Sequence, residues 1–399
     1  MNFNLSGLFS SFILQKLILF FSKNKFCFLS LTQKLLSLKT IIVSVTNDIS
    51  NDQRVSKVCD TLYHLNYTLV LVGRKLSSSV PIQRNYKIKR FKLIFNKGFL
   101  FYAEFNIRLF FYLLLSKCDI LLSNDLDTLL PNFFVSKLRK KELVYDSHEL
   151  FTEIPELIDR PNTKRVWEFI EKLSLPRVKN CYTVSYSIAE YYKEKYNTHF
   201  EVVRNVPKRT NIKKHIKLPS DLTEKKIILY QGAVNKGRGL ELMIKTIRLL
   251  NNCIFLIVGD GDILDDLKKL VHQEKLHKKI IFFGKVTPEI LKSITPMVHL
   301  GLSIEENLGL SYRFALPNKL FDYIQAKIPV ITSNLPEMEK VILKYGIGEV
   351  LVERTPKVFA NLIENVLNTD YSLNLEKAKA ELIWEKEEKK LSKFFNHFI

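Results

Sequence analysis

The chain alternates short β-branched and aromatic segments with stretches of helical periodicity, in two separate series. The predicted strands of the first series lie at 41–45, 68–72, 120–122, 143–145 and 182–184, with helices at 53–65 and 101–115; those of the second lie at 227–230, 254–258, 280–283, 299–302, 329–331 and 349–352. Such alternation predicts βαβ units on parallel sheets. The fold class is therefore α/β, with two Rossmann-like doubly wound domains. Because such sheets bind ligands at the carboxyl ends of their strands, we expect the domains to face a central cleft.

The length of the chain supports this division, since 399 residues can form two domains with complete cores. We predict a first domain over 40–205 and a second over 218–370. The lysine-rich stretch at 208–217 suggests an interdomain linker over 206–217, and the periodicity near the end of the chain suggests a helix within 371–399.

Residues 1–39 form an apolar and basic extension that contains no acidic residue. Its most apolar stretch, 5–21, is interrupted by Gln15 and Lys16 and is shorter than the ~20 residues that span a bilayer. A secretory signal is disfavoured, because no basic region precedes the apolar one and no small-residue cleavage site follows it. We predict an anchor at the membrane surface. The alternatives are a segment disordered in solution and a start codon assigned too early.

The net charge of +20, from 61 Lys and Arg against 41 Asp and Glu, favours an anionic partner such as a nucleotide diphosphate or a phospholipid head group. Nucleic acid is disfavoured, because the cations are dispersed and no nucleic-acid-binding motif is present. The five Cys include no C-x-x-C pair and the eight His are scattered, which favours a reduced, cytoplasmic protein without a structural metal.

In the second series, a turn rich in polar residues opens a helix at 306–323. Gly309, Leu310 and Ser311 offer backbone N–H groups at this helix start, Lys319 adds a cation, and Asp322 adds a carboxylate one turn further on. These residues suit a nucleotide diphosphate. The alternative is an ordinary amphipathic helix with a polar start.

Glycine-rich turns follow three predicted strands of the same series. The first contains Gly232 and the cation Arg238, which make it a candidate phosphate loop. The others contain Gly259 and Gly261, and then Lys285. Glycine at a strand end lets a ligand lie against the main chain, although a tight β-to-α turn explains the same pattern.

The first series contains two polar segments at strand ends. Residues 47–54 follow the first strand and open the first helix, where either Asn51 or Asp52 is a candidate cap; we also select Asn47, Asp48 and Arg54 from this loop. The segment 146–149 follows another strand and supplies Asp146, His148 and Glu149, a group able to exchange protons near neutral pH. No G-x-S-x-G elbow accompanies it, so a serine hydrolase is disfavoured.

The segments ENLGLSY at 306–312 and PNKLFDY at 317–323 resemble the donor-binding region of retaining glycosyltransferases of the GT-B fold, family four. NDISNDQRV at 47–55, DSHE at 146–149 and YQGAVNKGRG at 230–239 resemble further segments of that family. Two departures stand out. Ala233 replaces the usual arginine of the phosphate loop, and the position eight residues before Asp322, where the family's acidic signature has a glutamate, is Phe314.

The resemblance implies a role for each segment. Arg238, Lys319 and the backbone at Gly309 to Ser311 would hold the donor diphosphate, and the loops at Gly232, Gly259, Gly261 and Lys285 would border the nucleotide. Glu306 would lie near the transferred sugar and Asp322 near the ribose hydroxyls. His148, with Asp146 and Glu149, would face the reacting centre, and Asn47, Asp48, Asp52 and Arg54 would cover the cleft on the acceptor side. A terminal helix would cross back onto the first domain.

The implied activity is transfer of a sugar from a nucleotide diphosphate sugar to a glycan or lipid-linked acceptor, with retention of configuration and no required metal or other cofactor. We also expect a peripheral membrane contact, since residues 99–112 are aromatic around most of a helix, although buried helix packing explains the same aromatic density. The expected process is bacterial surface-polysaccharide or lipopolysaccharide synthesis at the inner face of the cytoplasmic membrane. The alternatives are a nucleotide-sugar epimerase or phosphorylase on the same fold, and a non-catalytic scaffold that binds nucleotide sugars.

Overall fold

The computed structural model describes residues 38–50, 52–157, 159–209 and 224–398. The predicted N-terminal anchor, apart from its last two residues, and residues 210–217 of the predicted linker lie outside this part of the chain.

The first domain is a parallel sheet with helices on both faces, and within the described residues its strand order is β3-β2-β1-β4-β5-β6-β7. Its elements are β1 (Thr40–Asp48), α1 (Gln53–His64), β2 (Thr68–Lys75), β3 (Lys87–Lys92), α2 (Gly98–Leu115), β4 (Ile120–Asn124), α3 (Leu126–Arg139), β5 (Glu142–Ser147), α4 (Pro161–Ser174), β6 (Asn180–Thr183), α5 (Tyr186–Tyr196) and β7 (Glu201–Val202). The strand order reverses between β1 and β4, which places a ligand-binding crevice at their carboxyl ends.

The second domain repeats this plan with the strand order β10-β9-β8-β11-β12-β13. Its elements are β8 (Lys226–Gln231), α6 (Leu240–Ile247), β9 (Cys253–Val258), α7 (Leu264–Gln273), β10 (Ile280–Phe282), α8 (Pro288–Ile294), β11 (Leu300–Ser303), α9 (Leu310–Arg313), α10 (Asn318–Ala326), β12 (Val330–Ser333), α11 (Pro336–Tyr345), β13 (Gly348–Leu351), α12 (Pro356–Leu367), α13 (Ser372–Glu381) and α14 (Trp384–Asn396). The reversal lies between β8 and β11, so its crevice faces that of the first domain.

The prediction of two doubly wound α/β domains is confirmed. The pattern did not predict β3, an edge strand with four cations in six residues, or β7, which has only two residues. The C-terminal segment forms two helices rather than one, because the backbone of Ile383 is extended between α13 and α14.

The crossing back to the first domain is confirmed, since α14 packs against α1 and the first sheet. Trp384, Leu391 and Phe395 are fully buried there with Ile41 and Val58. The chain thus passes between the domains twice, and the two passages are joined where the Trp384 amide N–H donates to the Pro207 carbonyl at 2.8 Å.

Candidate active site

A cavity of about 890 Å³ lies between the domains, at the carboxyl ends of both sheets. Eleven of the predicted site residues line it: Asn47, Asp48, Asp52, Arg54, His148, Glu149, Gly232, Arg238, Ser311, Lys319 and Asp322. The strand order of the two sheets brings these residues together, although they are spread over more than 270 positions of the sequence. We call this cavity the cleft.

A buried carboxylate organises the cations on the second-domain wall of the cleft. Lys319 Nζ lies 2.9 Å and Arg238 Nη1 3.6 Å from Oε1 of Glu305, whose side chain is fully buried. The other carboxylate oxygen of Glu305 accepts a hydrogen bond from Ser303 at 2.9 Å. Two cations therefore share one carboxylate, and a net positive charge faces the cleft.

The charges in this group stabilise one another. Burial alone would raise the pKa of Glu305, but the positive charges of Lys319 and Arg238 outweigh it and hold that pKa below its usual value. Burial opposes the charge of Lys319 in the same way, and Glu305 raises the Lys319 pKa above its usual value. Both cations also lie over aromatic rings, Lys319 4.0 Å from the Tyr230 centroid and Arg238 4.7 Å from that of Tyr312. They are held in place before any ligand binds.

Asp322 lies further along the same wall and does not pair with Lys319. Its Oδ2 accepts a hydrogen bond from Gln231 Nε2 at 2.9 Å, and Gln231 Oε1 accepts one from Thr295 at 3.0 Å. Desolvation raises the pKa of Asp322 to about 6, against the opposing charges of Lys292 and Lys57. A ligand hydroxyl that donates to this carboxylate would favour its ionised form.

The glycines of the second domain let the loops at the strand ends pack closely. A Cβ on Gly259 would lie 1.8 Å from the Gly232 carbonyl oxygen, and one on Gly261 would lie 2.3 Å from that of Val234. Gly232 itself borders the cleft, where a Cβ would meet Lys319 Cε at 3.6 Å. Gly259 and Gly261 therefore pack against the backbone of the candidate phosphate loop. They do not line the cleft, where the predicted contacts with the donor would require them to lie.

Several other predicted residues also lie outside the cleft lining. Glu306 is turned toward Arg354, with 3.7 Å between Oε1 and Nη2, and its neighbour Glu305 takes the buried position between the cations. Leu310 packs against the core of the first domain, and the Gly309 Cα faces the Glu153 carbonyl. Lys285 is exposed on the turn after β10. The position of Leu310 is therefore set by its hydrophobic side chain, which helps to join the two domains.

On the first-domain wall, a chain of ionic contacts runs inward from His148. Its Nε2 lies 3.1 Å from Asp146 Oδ2, and its Nδ1 lies 3.0 Å from Asp125 Oδ2. Asp146 is fully buried and is held by both Nε and Nη2 of Arg54, at 3.0 and 2.7 Å. Arg54 also donates to the Val203 carbonyl at 2.9 Å. Asp146 therefore lies behind the cleft surface and supports His148 from below.

The charges of Asp146 and His148 are stabilised by neighbouring charged groups. Burial would raise the pKa of Asp146, yet Arg54 and His148 lower it to about 2. Burial would likewise lower the pKa of His148, but Asp125 and Asp146 raise it well above its usual value. Both ring nitrogens of His148 face carboxylates, and this arrangement favours the protonated, positively charged form of the ring. In this conformation neither ring nitrogen is free to donate a hydrogen bond to a sugar. His148 can therefore act on a ligand in the cleft only through its charge and the position of its ring.

The first-domain wall also carries hydrogen-bonding groups near the mouth of the cleft. Asp52 caps α1 by accepting from the Val55 N–H at 3.0 Å, as predicted, and its second oxygen accepts from Asn47 at 3.2 Å. Asp48 pairs with Arg90 at 2.7 Å. Glu149 lies at the edge of the cleft with much of its surface exposed. This arrangement can accept hydrogen bonds from several hydroxyl groups.

Some cleft residues were not found from the sequence. Lys57 lies one turn after Arg54 on α1, donates to Asn205 at 2.8 Å, and has a pKa lowered to about 7 by burial and by Arg54. Its i, i+3 spacing from Arg54 would have placed it on the same face. Arg74, the penultimate residue of β2, lines the cleft, and its guanidinium stacks on Phe101 at 4.7 Å. Like Asp146, Arg74 lies near the end of a predicted strand, and this position is the feature of the sequence that could have identified it.

Among the residues that the structure describes, no group of three or more His, Cys, Asp or Glu side chains is placed to hold a metal ion.

Residues 208–382, which comprise the second domain, match the family model "Glycosyl transferases group 1". The chain is 30% identical over 132 residues to the O-antigen biosynthesis glycosyltransferase WclY of Escherichia coli, a match that covers 32% of this chain and 33% of that protein. The match thus spans about a third of the length of this curated relative.

Solved structures cover nearly the whole chain. Sucrose-phosphate synthase from Thermosynechococcus elongatus superimposes with a TM-score of 0.72 at 15% identity, over 90% of this chain and 99% of that one. HepE from Anabaena, solved in complex with UDP, superimposes with a TM-score of 0.65 at 12% identity, over 90% and 100%. At these identities the similarity concerns the fold, and it confirms the predicted GT-B architecture.

Proposed function

We propose, on the premise that the second domain matches the group 1 glycosyltransferases, that this chain transfers a sugar from a nucleotide diphosphate sugar to a glycan or lipid-linked acceptor. The observation that carries the proposal is the pair of cations, Arg238 and Lys319, held at the cleft by the single buried carboxylate of Glu305. A phosphate-sized anion would complete the charge balance of this group.

The pair of cations would stabilise the diphosphate as it leaves. During transfer, negative charge develops on the oxygen that joins the diphosphate to the sugar, and fixed positive charge lowers the energy of that state. Lys319 and Arg238 are already positioned by Glu305, Tyr230 and Tyr312, so little reorganisation is required. Ser311 lies at the start of α9 in the cleft lining, where it adds a hydroxyl and a backbone N–H.

The remaining groups divide between the two substrates. Asp322 can accept hydrogen bonds from the ribose hydroxyls of the donor, because it lies on the same wall as the cations. Asp48, Asp52 and Glu149 on the opposite wall can accept bonds from acceptor hydroxyls. His148 also lines the cleft, and its positive charge, favoured by Asp125 and Asp146, would orient the transferred sugar and balance the leaving group.

Retention of configuration is part of the proposal. The departing phosphate would itself take the proton of the acceptor hydroxyl, so that the new bond forms on the face from which the diphosphate leaves. No covalent sugar–enzyme intermediate is needed on this route. Closure of the domains about the two chain passages, at Asn205 and Trp384, would exclude water from the reacting centre.

We further propose that the reaction needs no divalent metal, since Arg238 and Lys319 supply positive charge at the diphosphate, and that it serves cell-surface polysaccharide synthesis at the cytoplasmic face of the membrane. The similarity to a protein of O-antigen biosynthesis supports this choice of process.

A screen of the purified chain against UDP-, GDP-, ADP- and CMP-sugars tests the proposal. We expect one nucleotide sugar to raise the unfolding temperature, with and without EDTA, and to be hydrolysed slowly with release of its nucleotide. NMR of the released sugar at early times should show the anomeric configuration of the donor. Release of the inverted anomer would contradict retention, and stabilisation that EDTA abolishes would contradict metal independence. No response to any donor would contradict the proposed activity.

A further inference from the structure

Exposed hydrophobic side chains are concentrated on one side of the first domain. Leu100, Ile107, Phe111 and Leu115 are 51%, 59%, 56% and 82% exposed. Their spacing of seven, four and four residues places them in one stripe along α2. We call this stripe the α2 face. Soluble surfaces rarely carry an apolar stripe that runs the full length of a helix without a partner to cover it.

The opposite side of α2 anchors the helix to the sheet. Phe105, Leu109 and Leu113 are fully buried in the core of the first domain. With 18 residues and a mean hydropathy of 1.4, α2 is long and apolar enough to cross a membrane by length and composition. Because one side is part of the domain core, the helix instead presents its other side along the protein surface. This geometry suits a helix that lies in the plane of a membrane interface.

The single acidic residue of α2 is neutralised within the protein. Glu104 pairs with Arg108 at 2.7 Å and accepts hydrogen bonds from the N–H groups of Ile94 and Phe95, at 2.9 Å each. Its side chain is only 12% exposed. The α2 face therefore carries no unpaired negative charge that would oppose an anionic surface.

A basic pocket of about 290 Å³ lies at the end of the same side of the domain. Its lining contains five cations, Lys137, Lys140, Lys141, Arg177 and Lys179, and one acid, Glu142. Lys141 has an acidic neighbour, Asp119, at 3.4 Å, whereas Lys137, Lys140 and Lys179 have no acid partner among the described residues. This pocket lies at the amino ends of β5 and β6, away from the cleft, and the proposed transfer does not use it.

The basic pocket adjoins the α2 face through the end of α3. The Arg139 guanidinium donates to the carbonyls of Leu113 and Ser116, which places the last turn of α3 beside the last turn of α2. Leu138, 66% exposed, lies between the pocket residues Lys137 and Lys140 in the sequence. An apolar stripe and a cluster of cations thus meet at one corner of the domain.

We propose that the α2 face and the basic pocket form one docking surface for a bilayer that contains anionic phospholipids. The α2 face would enter the interface, and the pocket would hold a lipid phosphate. Charge complementarity selects this occupant, because cations beside an apolar stripe match the arrangement of phosphates and acyl chains at a membrane surface. The proposal does not depend on sugar transfer.

Sedimentation of the full chain with vesicles tests the proposal. We expect binding to vesicles of phosphatidylcholine with phosphatidylglycerol, and binding to phosphatidylcholine alone that is weaker by at least roughly tenfold. The variant Ile107→Ser/Phe111→Ser/Leu115→Ser removes the stripe, and Lys137→Glu/Lys140→Glu/Lys179→Glu reverses the pocket charge. Each should weaken binding to the anionic vesicles by about tenfold or more. If the charge reversal lowers the unfolding temperature, the corresponding Lys→Gln variant replaces it.

Matched controls use exposed residues elsewhere. Leu343→Ser/Val352→Ser/Leu373→Ser removes three residues that are 71%, 67% and 77% exposed in the second domain, and Lys275→Glu/Lys278→Glu reverses two exposed lysines there. Both should bind as the unmodified chain does. The proposal is overturned if the test variants bind normally, which would place membrane binding in residues 1–37 or elsewhere, or if no vesicle is bound. It is also overturned if glycerol phosphate binds while vesicles do not, or if light scattering shows a dimer that the Ile107, Phe111 and Leu115 changes convert to a monomer.

Discussion

Arg54 and Asp146 form a fully buried ion pair that joins the first helix to the strand that precedes His148. Two nitrogens of the guanidinium lie 3.0 and 2.7 Å from the two carboxylate oxygens. Because Asp146 also contacts His148, the pair determines the position of that ring in the cleft. Arg54, which the sequence predicts as a contact in the cleft loop, is thus mainly a positioning residue.

Replacing Arg54 with alanine should destabilise the fold by about 3–5 kcal/mol, since it leaves the Asp146 carboxylate buried without a counter-ion. Urea unfolding measures this change. Arg108→Ala is the matched control, because Arg108 pairs with Glu104 at a similar 2.7 Å but is 43% exposed; its loss should cost less than about 1 kcal/mol. Similar costs for the two variants would contradict the structural role of the buried pair.

His148 should remain protonated on both ring nitrogens to a pH well above the ordinary histidine pKa of ~6.5. Asp125 and Asp146 overcome the effect of burial and raise its pKa. The ring nitrogen shifts in NMR spectra report this directly. Because the folded-state pKa is raised, the stabilisation is complete below ~6.5 and is lost as the pH rises through the folded value. The free-energy difference between the unmodified chain and His148→Gln should shrink over that range, and a neutral ring at neutral pH would contradict the assignment.

Asp127→Asn should stabilise the protein at alkaline pH. Asp127 is buried and accepts from Thr46 at 2.5 Å; desolvation, with the charge of Asp125, raises its pKa to about 8. Between the ordinary aspartate value of ~3.9 and this raised value, the folded state binds more protons than the unfolded state, so stability falls as the pH increases. The gain in Asp127→Asn should therefore be small near pH ~4 and grow to the order of a few kcal/mol by pH ~8. Asp262→Asn, at an exposed position, should show no such trend in thermal unfolding.

Adjacent glutamates at the end of β11 should respond differently to the same change. Glu305→Gln leaves the cations Lys319 and Arg238 without their buried partner and should cost about 2–4 kcal/mol in unfolding free energy. Glu306→Gln alters a side chain that is 40% exposed and 3.7 Å from Arg354, and should cost less than about 1 kcal/mol. Equal costs would show that the cation group does not depend on Glu305.

The architecture was predictable because it depends on short-range patterns. Buried strands such as β8 and β9 contain continuous apolar runs, and the pattern located both of them. It failed for β3, because an edge strand pairs on one side only and its cations can face solvent. The pattern also missed the break between the two C-terminal helices at Ile383. Next to this break, the Trp384 N–H donates to the Pro207 carbonyl, and a contact between residues so far apart in the sequence leaves no local pattern.

The candidate site was predictable at the level of segments but not of individual contacts. The segment that contains Glu306 was identified, yet which of two adjacent glutamates faces inward depends on how β11 ends, and the chain turns Glu305 toward Lys319. The sequence predicts Gly259 and Gly261 as ligand contacts, because it cannot distinguish close approach to a ligand from close approach to the neighbouring loop at Gly232. Asp125 and Arg74 lie at or near strand ends, as Asp146 does, but no surrounding motif distinguishes them from other polar residues at such positions.

Nucleotide binding at the cation pair is the most direct test of the central claim. Calorimetric titration of the nucleoside diphosphates UDP, GDP, ADP and CDP should find one that binds the unmodified chain. Lys319→Ala and Arg238→Ala should each weaken that binding by roughly tenfold or more, because each removes a charge-assisted contact. Lys285→Ala, at an exposed lysine outside the cleft, is the control and should bind normally. Unchanged affinity in both cleft variants, or an equal loss in Lys285→Ala, would contradict the assignment of the diphosphate to Arg238 and Lys319.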